Sequence, residues 1–238
     1  DRLVEFRSNE ILIPAYLMQG KWGIAEHHID RCETLLSDAP VNLASVWLAR
    51  QSTFLNIALG RPEVATGQID VLLDQLHESG LFDHPHARVL VHVSMAQALC
   101  AQAERERALA HTRPQDTMHR LKKVLKHVTP SSDDVGIRLS AEIHRLAARQ
   151  EMLRGNPRRA LRQIEDAIEA MRRFLSPIDL AKTLEARGLV LKSMGDADAA
   201  QQIQQARGVY EQFGAKFPLI LEGWPVPHEF SALREDSE

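Results

Sequence analysis

Four short segments of the chain share a glycine that is followed five residues later by an alanine. The glycines Gly20 and Gly60 are 40 residues apart in the sequence, and so are Gly155 and Gly195. Glycine readily adopts the left-handed conformation that ends a helix, and a small alanine lets the next helix pack closely. The sequence therefore predicts a tandem array of helix pairs. The four pairs are Gly20 and Ala25, Gly60 and Ala65, Gly155 and Ala160, and Gly195 and Ala200.

Apolar residues recur at helical spacing between these glycines, and prolines precede most of the stretches, as expected for a first helical turn. The pattern predicts an all-α chain whose short connections make successive helices antiparallel neighbours. The helices are predicted at residues 2–19, 22–37, 41–59, 62–79, 85–110, 114–128, 132–154, 157–174, 177–194 and 197–213. Pro14 is expected to kink the first helix or delay its start. About five pairs fill residues 1–215 (2–37, 41–79, 85–128, 132–174 and 177–213).

The segments G-N-P-R-R-A at 155–160 and G-D-A-D-A-A at 195–200, with Ala148 and Gly188 seven residues before each glycine, resemble the tetratricopeptide repeat (TPR). The period near 40 residues is similar to that of the helical sensor domains of bacterial regulators, such as the maltose regulon activator and related LuxR-type ATPases. Residues 180–215 carry this second resemblance most strongly. The resemblance implies a right-handed superhelical solenoid that binds proteins or peptides.

The motifs that usually carry catalysis are missing from the sequence. There is no G-x-G-x-x-G, G-x4-G-K-[ST], G-x-S-x-G, H-E-x-x-H or C-x-x-C. The two cysteines, Cys32 and Cys100, lie in apolar helical stripes and are expected to be small buried hydrophobes. The sequence predicts a protein that is not an enzyme and has no metal or cofactor. It contains no apolar run long enough to span a membrane, and a cytoplasmic location is expected.

In the TPR family the first helix of each pair lines the concave face. Positions 13, 10, 6 and 3 before the turn glycine share one helix face, because their spacing is three or four residues. The resulting groove is apolar at one end and basic at the other. Arg145, Arg149 and Lys192 are predicted to hold carboxylates, and Trp47 and Phe54 to seat an apolar side chain. Alternatively, the aromatics are core residues and the arginines are solvated. The predicted peptide-binding residues are Arg7, Glu10, Trp47, Arg50, Phe54, Arg145, Arg149, Lys182 and Lys192.

Charge is distributed unevenly along the chain. The net charge is −5 over residues 1–100, +6 over 101–175 and −4 over 176–238. The basic middle can bind an acidic protein or peptide, and the alternative is that it is a solvated helix surface. Aromatic residues are not interleaved with its arginines and lysines, so direct contact with nucleic acid is not expected.

Residues 216–238 depart from the repeat pattern, being apolar and proline-rich and then acidic. Phe217, Leu219, Ile220, Leu221 and Trp224 are predicted to cap the last helix pair, since a terminal repeat must cover its apolar face. Two alternatives remain. The segment can link to a following domain, or it can insert into a groove of its own chain or of a neighbouring molecule.

The leading functional hypothesis is a non-catalytic TPR-like module that binds a protein or peptide. We expect it to form the sensor or interaction segment of a larger cytoplasmic bacterial signalling or transcription regulator, because the chain begins abruptly without Met. One alternative is a scaffold subunit of a multiprotein assembly, or a module that self-associates into a homo-oligomer. The other is a sensor for a small effector held inside the superhelix.

Overall fold

A computed structural model describes residues 1–110, 114–128, 134–171 and 176–216, together with residues 222 and 224. Within these residues every regular element is helical, so the predicted all-α class is confirmed. The helices are α1 (Arg2–Gln19), α2 (Trp22–Leu36), α3 (Leu43–Ala58), α4 (Pro62–Glu78), α5 (Pro85–Ala110), α6 (Gln115–Lys126), α7 (Asp134–Leu153), α8 (Pro157–Met171), α9 (Pro177–Ser193) and α10 (Ala199–Gln212). A single 3₁₀ turn, Leu81–Asp83, precedes α5. Pro14 lies inside α1, which nevertheless starts at Arg2.

The helices pack as consecutive pairs: α1 with α2, α3 with α4, α5 with α6, α7 with α8, and α9 with α10. The first helices of the pairs also contact one another in the order α1, α3, α5, α7 and α9. These helices therefore form one continuous layer of a helical solenoid. The side chain of Arg50 on α3 reaches Glu142 on α7 across the intervening α5. This face of the layer consequently curves inward, and we call it the inner face.

The predicted turn glycines all adopt the left-handed conformation, with φ between 71° and 78°. At Gly20 the glycine N–H donates to the carbonyl of Leu17 at 3.1 Å, and the N–H of Lys21 donates to Tyr16 at 2.9 Å. The same two bonds recur after α3, α7 and α9. They satisfy carbonyls that the ending helix would leave without donors. A side chain with a Cβ would be strained at these positions.

Three of the four predicted alanines, Ala25, Ala65 and Ala160, have no exposed surface. Ala200 is different: it is exposed, and Ala199 occupies the buried position instead. The last turn is longer than the others, because the Asp196 carboxylate accepts a hydrogen bond from the N–H of residue 198 at 2.9 Å. Helix α10 starts four residues after its turn glycine, and its buried alanine lies one residue earlier than the sequence predicted.

Gly188 lies where α9 crosses α10. A Cβ built on Gly188 would be 2.6 Å from Cγ1 of Ile203 and 3.1 Å from the carbonyl oxygen of Ala199. These distances are shorter than van der Waals contact, so a residue without a side chain lets the two helices approach this closely.

The two ends of the solenoid meet. The backbone N–H of Lys216, just after α10, donates to the carbonyl of Met18 in the first pair at 2.7 Å. The Met18 side chain packs against the cluster of Ala181, Tyr210 and Ala215 from the last pair and the residues after it. The stack of pairs is therefore closed rather than open-ended.

Candidate functional site

Charged side chains of three first helices meet on the inner face. Nη2 of Arg50 on α3 lies 2.7 Å from each carboxylate oxygen of Glu142 on α7. The amide of Gln97 on α5 donates to the same carboxylate. The guanidinium of Arg50 also covers the ring of Phe54, 4.7 Å from its centroid. Arg50 is thus held by two helices of the layer and by its own neighbour on α3.

Arg145 of α7 is the most enclosed cation of the site, at 1% exposure. Its Nε and Nη2 atoms donate to the two carboxylate oxygens of Glu222, each at 2.7 Å. Its Nη1 donates to the hydroxyl of Thr183 on α9 at 3.0 Å. The ammonium of Lys182, also on α9, donates to Glu222 at 3.1 Å. Two helices therefore direct a guanidinium fork and an ammonium at one carboxylate.

The electrostatics of this group favour the charged state of both partners. Burial opposes the charge of Arg145, but the attraction and hydrogen bonding of Glu222, together with the charges of Glu142 and Asp179, outweigh burial and raise the pKa of Arg145. Burial likewise raises the pKa of Glu222, but Arg145 and Lys182 outweigh it and hold that pKa below the ordinary value. The pair therefore remains ionised inside the protein at neutral pH.

Trp224 lies beside Arg149, one helical turn along α7 from Arg145. The guanidinium carbon of Arg149 is 5.5 Å from the centroid of the Trp224 ring. Trp224 is 3% exposed and belongs to an apolar cluster with residues of α7, α8 and α9. Arg149 in turn pairs with Glu104 of α5. The site therefore combines a cationic subsite for a carboxylate with an aromatic subsite one turn away.

A second buried polar pair is formed between α9 and α10. The hydroxyl of Tyr210 donates to Glu185 at 3.0 Å. Burial raises the pKa of both groups, and the neighbouring Glu185 carboxylate raises that of Tyr210 further. This pair links α10 to α9, the helix that carries Lys182 and Thr183.

The structure brings together only some of the predicted peptide-binding residues. Arg145, Arg149 and Lys182 surround Glu222 and Trp224, and Arg50 joins them through Glu142. Lys192, which the sequence assigned to the basic end, is exposed, and Lys182 takes its place. On α1, Arg7 and Glu10 pair with each other at 2.6 Å. Trp47 is 39% exposed, whereas Phe54 is partly buried against the apolar cluster that α1, α2 and α3 form.

The arginines of α7 are not solvated, which was one alternative, because Arg145 and Arg149 are 1% and 4% exposed. The carboxylates that they hold belong to this chain, being those of Glu222 and Glu104. Binding of an acidic partner by these residues stays a prediction. Of the tail residues predicted to form a cap, only Trp224 is described, and the other four lie outside the described residues.

Sequence reasoning missed Gln97, Glu104, Thr183 and Glu222. Gln97 and Glu104 lie on α5, whose pair lacks the turn glycine that aligned the others. Glu222 carried a usable signal, since it is an acid inside the apolar run of residues 217–227. Such an acid needs a cation when the run is buried, and the most basic part of the chain contains α7.

Other classes of site find no support in the described residues. These residues contain no group of three His, Cys, Asp or Glu side chains arranged to hold a metal ion. None of the described helices is both long and apolar enough to cross a membrane. Cys32 and Cys100 are buried free thiols, as the sequence predicted. A groove of about 590 Å³ between α7 and α8 is lined by Arg159 and Arg162 but also by three acidic side chains, so its lining is not basic.

Solved structures include chains that are similar to this one. The chain is similar to BtubC (BKLC) from P. vanneervenii, with a TM-score of 0.52 and 15% identity over 93% of this chain and 83% of that chain. It is also similar to a putative kinesin light chain with TPR-like repeats from Podosopora anserina, with a TM-score of 0.49, 13% identity and coverage of 87% and 95%. No protein-family model matches the sequence, and neither does any curated protein.

Likeness at this level of identity concerns the fold. Together with the helix pairs and their glycine turns, the likeness to BtubC confirms the predicted helical solenoid. The narrower resemblance to the sensor domains of bacterial regulators stays a prediction.

Proposed function

We propose that the chain is a non-catalytic protein-interaction module that binds a peptide segment on its inner face, against α7 and α9. One observation carries this proposal. Arg145, Lys182 and Thr183 converge on Glu222, a carboxylate that belongs to the segment beyond the helix pairs. The inner face thus already holds a piece of polypeptide by its side chains.

The chemistry of these contacts is that of binding. A guanidinium fork and an ammonium recognise a carboxylate by charge-assisted hydrogen bonds, which gain strength in a buried setting. Beside them, the apolar cluster around Ala186 and Val190 accommodates a large ring. A ligand that fits is therefore a peptide that offers a carboxylate and an apolar side chain close together.

The wider setting that we propose is the interaction or sensor segment of a larger cytoplasmic regulator. The support for it is the resemblance of residues 180–215 to the sensor domains of such proteins. The sequence of the residues that flank this chain in its parent gene tests the setting. An adjoining ATPase or DNA-binding helix-turn-helix domain would support it, and a parent without either would refute it.

The peptide-binding proposal can be tested with two lysines of the same helix. Peptides selected from a displayed random library on the wild-type chain are measured by fluorescence anisotropy against Lys182→Glu and Lys192→Glu. Both substitutions are placed in a Glu222→Gln background, where Lys182 meets no carboxylate from the segment beyond the helices. Lys182→Glu should weaken binding about tenfold or more, because it places a like charge against the ligand carboxylate. The exposed Lys192 serves as the matched control and should change affinity less than about twofold. Equal effects of the two substitutions would refute an inner-face site.

A second candidate function is self-association through the outer face of α1. Leu3, Val4 and Ile11 of this helix are 64%, 62% and 77% exposed, and apolar side chains clustered in this way are typical of contact surfaces. If a second copy covers this face, Ile11→Glu should convert a dimer into a monomer in analytical ultracentrifugation. A wild-type chain that is monomeric at all accessible concentrations would exclude this candidate.

A further inference from the structure

We propose that Glu222 and Trp224 act as an intramolecular ligand of the inner face, and that the external partner carries the same acidic–x–aromatic spacing and displaces them. This inference rests on the proposed function, because it names the partner chemistry of the same site. It also means that Glu222 and Trp224 control the access of an external partner to that site.

The spacing that the site recognises can be derived from α7. Arg145 and Arg149 are four residues apart, so their side chains lie one above the other on one helix face. The first forms the fork with the carboxylate of Glu222, and the second lies against the ring of Trp224. One turn of α7 thus contacts an acidic residue, and the next turn contacts an aromatic residue two positions later in the bound segment. Lys182 and Thr183 on α9 complete the acid subsite and leave room for one carboxylate between the helices.

The chain's own segment fills this site incompletely. The indole Nε1 of Trp224 and the Nε of Arg149 are buried, and neither has a hydrogen-bond partner among the described residues. A buried donor without an acceptor weakens the complex that contains it. A partner that presents a carbonyl or carboxylate oxygen near these two positions would form hydrogen bonds that the resident segment does not form. The resident segment is therefore replaceable, although its tether gives it a high effective concentration.

Competition with a tethered segment has a measurable consequence. A covalently linked ligand acts at an effective concentration in the millimolar range. The apparent affinity for an added peptide is therefore the intrinsic affinity multiplied by the fraction of molecules in which the site is open. Disabling the resident segment should therefore tighten the binding of an added acidic–x–aromatic peptide about tenfold or more.

The experiment uses the full chain and a fluorescein-labelled peptide of residues 219–227 as the probe. Fluorescence anisotropy compares the wild-type chain with Glu222→Gln/Trp224→Ala, which should bind the probe about tenfold tighter or more. A probe with Gln and Ala in place of its acid and its tryptophan should bind neither chain.

The chain offers a matched control for the double variant. Glu211 and Phe213 have the same acidic–x–aromatic spacing, but both are exposed at the end of α10. Glu211→Gln/Phe213→Ala should leave the affinity for the probe at the wild-type value.

The outcomes separate the two proposals. Equal affinity of the wild-type chain and the double variant for the probe would overturn the intramolecular competition. If the double variant ignores the probe yet binds library peptides in a Lys182-dependent manner, the acidic–x–aromatic specificity is wrong and the proposed function stands. If no peptide binds in a Lys182-dependent manner, both proposals fail.

A second measurement avoids any dependence on the folding of the double variant. Wild-type chain labelled with 5-fluorotryptophan gives a resonance for Trp224, which Trp224→Phe assigns by its loss. Saturating unlabelled probe should move that resonance to the position of a solvent-exposed indole. A resonance that stays in place at saturation would overturn the displacement.

Discussion

Replacing Gly188 with alanine tests whether the contact between α9 and α10 sets the geometry of the last pair. The added Cβ would lie 2.6 Å from Cγ1 of Ile203 and 3.2 Å from the backbone nitrogen of the same residue. Carbon atoms in good contact are about 3.5–4.0 Å apart, so the two helices must separate by roughly 1 Å. Part of the obstacle is backbone, which cannot rotate away as a side chain can.

The expected magnitude is the difference between two opposing effects. Overpacking a close contact costs about 1–3 kcal/mol of unfolding free energy. Replacing glycine by alanine inside a helix returns up to about 1 kcal/mol. We therefore expect Gly188→Ala to lower the unfolding free energy by about 1–2 kcal/mol.

Gly208 on α10 provides the control, because a Cβ built there meets no atom within 4 Å. Gly208→Ala should keep the helix-propensity gain and raise the unfolding free energy by up to about 1 kcal/mol. Urea unfolding followed by far-UV circular dichroism measures both variants. Their opposite signs are the result to look for.

A double-mutant cycle with Ile203→Ala identifies the responsible atom. Removing Cγ1 should reduce the cost of Gly188→Ala by about 1 kcal/mol, while the contacts with backbone atoms preserve the rest. If Gly188→Ala proves as stabilising as Gly208→Ala, the close crossing of α9 and α10 is refuted.

Three further predictions concern the buried charged and titratable groups. Arg145→Lys keeps the charge but loses the fork of two 2.7 Å bonds; it should cost about 2–3 kcal/mol in urea unfolding, and an unchanged midpoint would argue against that fork. Burial raises the pKa of Cys32 to about 11 and of Cys100 to about 12, so both thiols should resist Ellman's reagent at neutral pH until urea unfolds the chain, and rapid reaction of the folded protein would contradict their burial. Burial lowers the pKa of His92 below its ordinary 6.5, so the unfolded state binds the proton more readily. The contribution of neutral His92 to the unfolding free energy should be fully present above about pH 6.5 and decrease as the pH falls below it. His92→Gln should make the unfolding free energy less dependent on pH in this range, and an identical pH profile in the variant would exclude His92 as the cause.

Much of the fold could be predicted because its signals are local. Proline and glycine mark where most of the helices begin or end. The predicted helix bounds agree with the described ones to within two residues, except that the predicted end of α8 at residue 174 lies outside the described residues. The errors also have local causes. In the turn between α9 and α10 the Asp196 carboxylate accepts a hydrogen bond from the N–H of residue 198, α10 starts at Ala199, and the buried alanine is Ala199 rather than Ala200. A motif counted in residues cannot register such a hydrogen bond.

Only the part of the site that lies on α7 could be predicted from the sequence. Arg145 and Arg149 follow from counting back along α7 from its turn glycine, because helical geometry fixes which residues share a face. Glu222 is 77 residues from Arg145 in sequence, and no periodicity connects them. Whether an arginine in the layer faces solvent, a partner or its own chain depends on where the segment after α10 lies. That placement is a tertiary property, and a repeat pattern does not encode it.

The hydrogen bond between Lys216 and Met18 has a consequence for how this array can vary. In an open solenoid each pair touches only its neighbours, so pairs can be gained or lost and the ends can fray one at a time. Here the first pair is also a neighbour of the last. Melting either end removes support from the other, which favours one concerted unfolding transition. Inserting or deleting a single pair would separate Met18 from Lys216, so a change in the number of pairs should lower the stability of both ends.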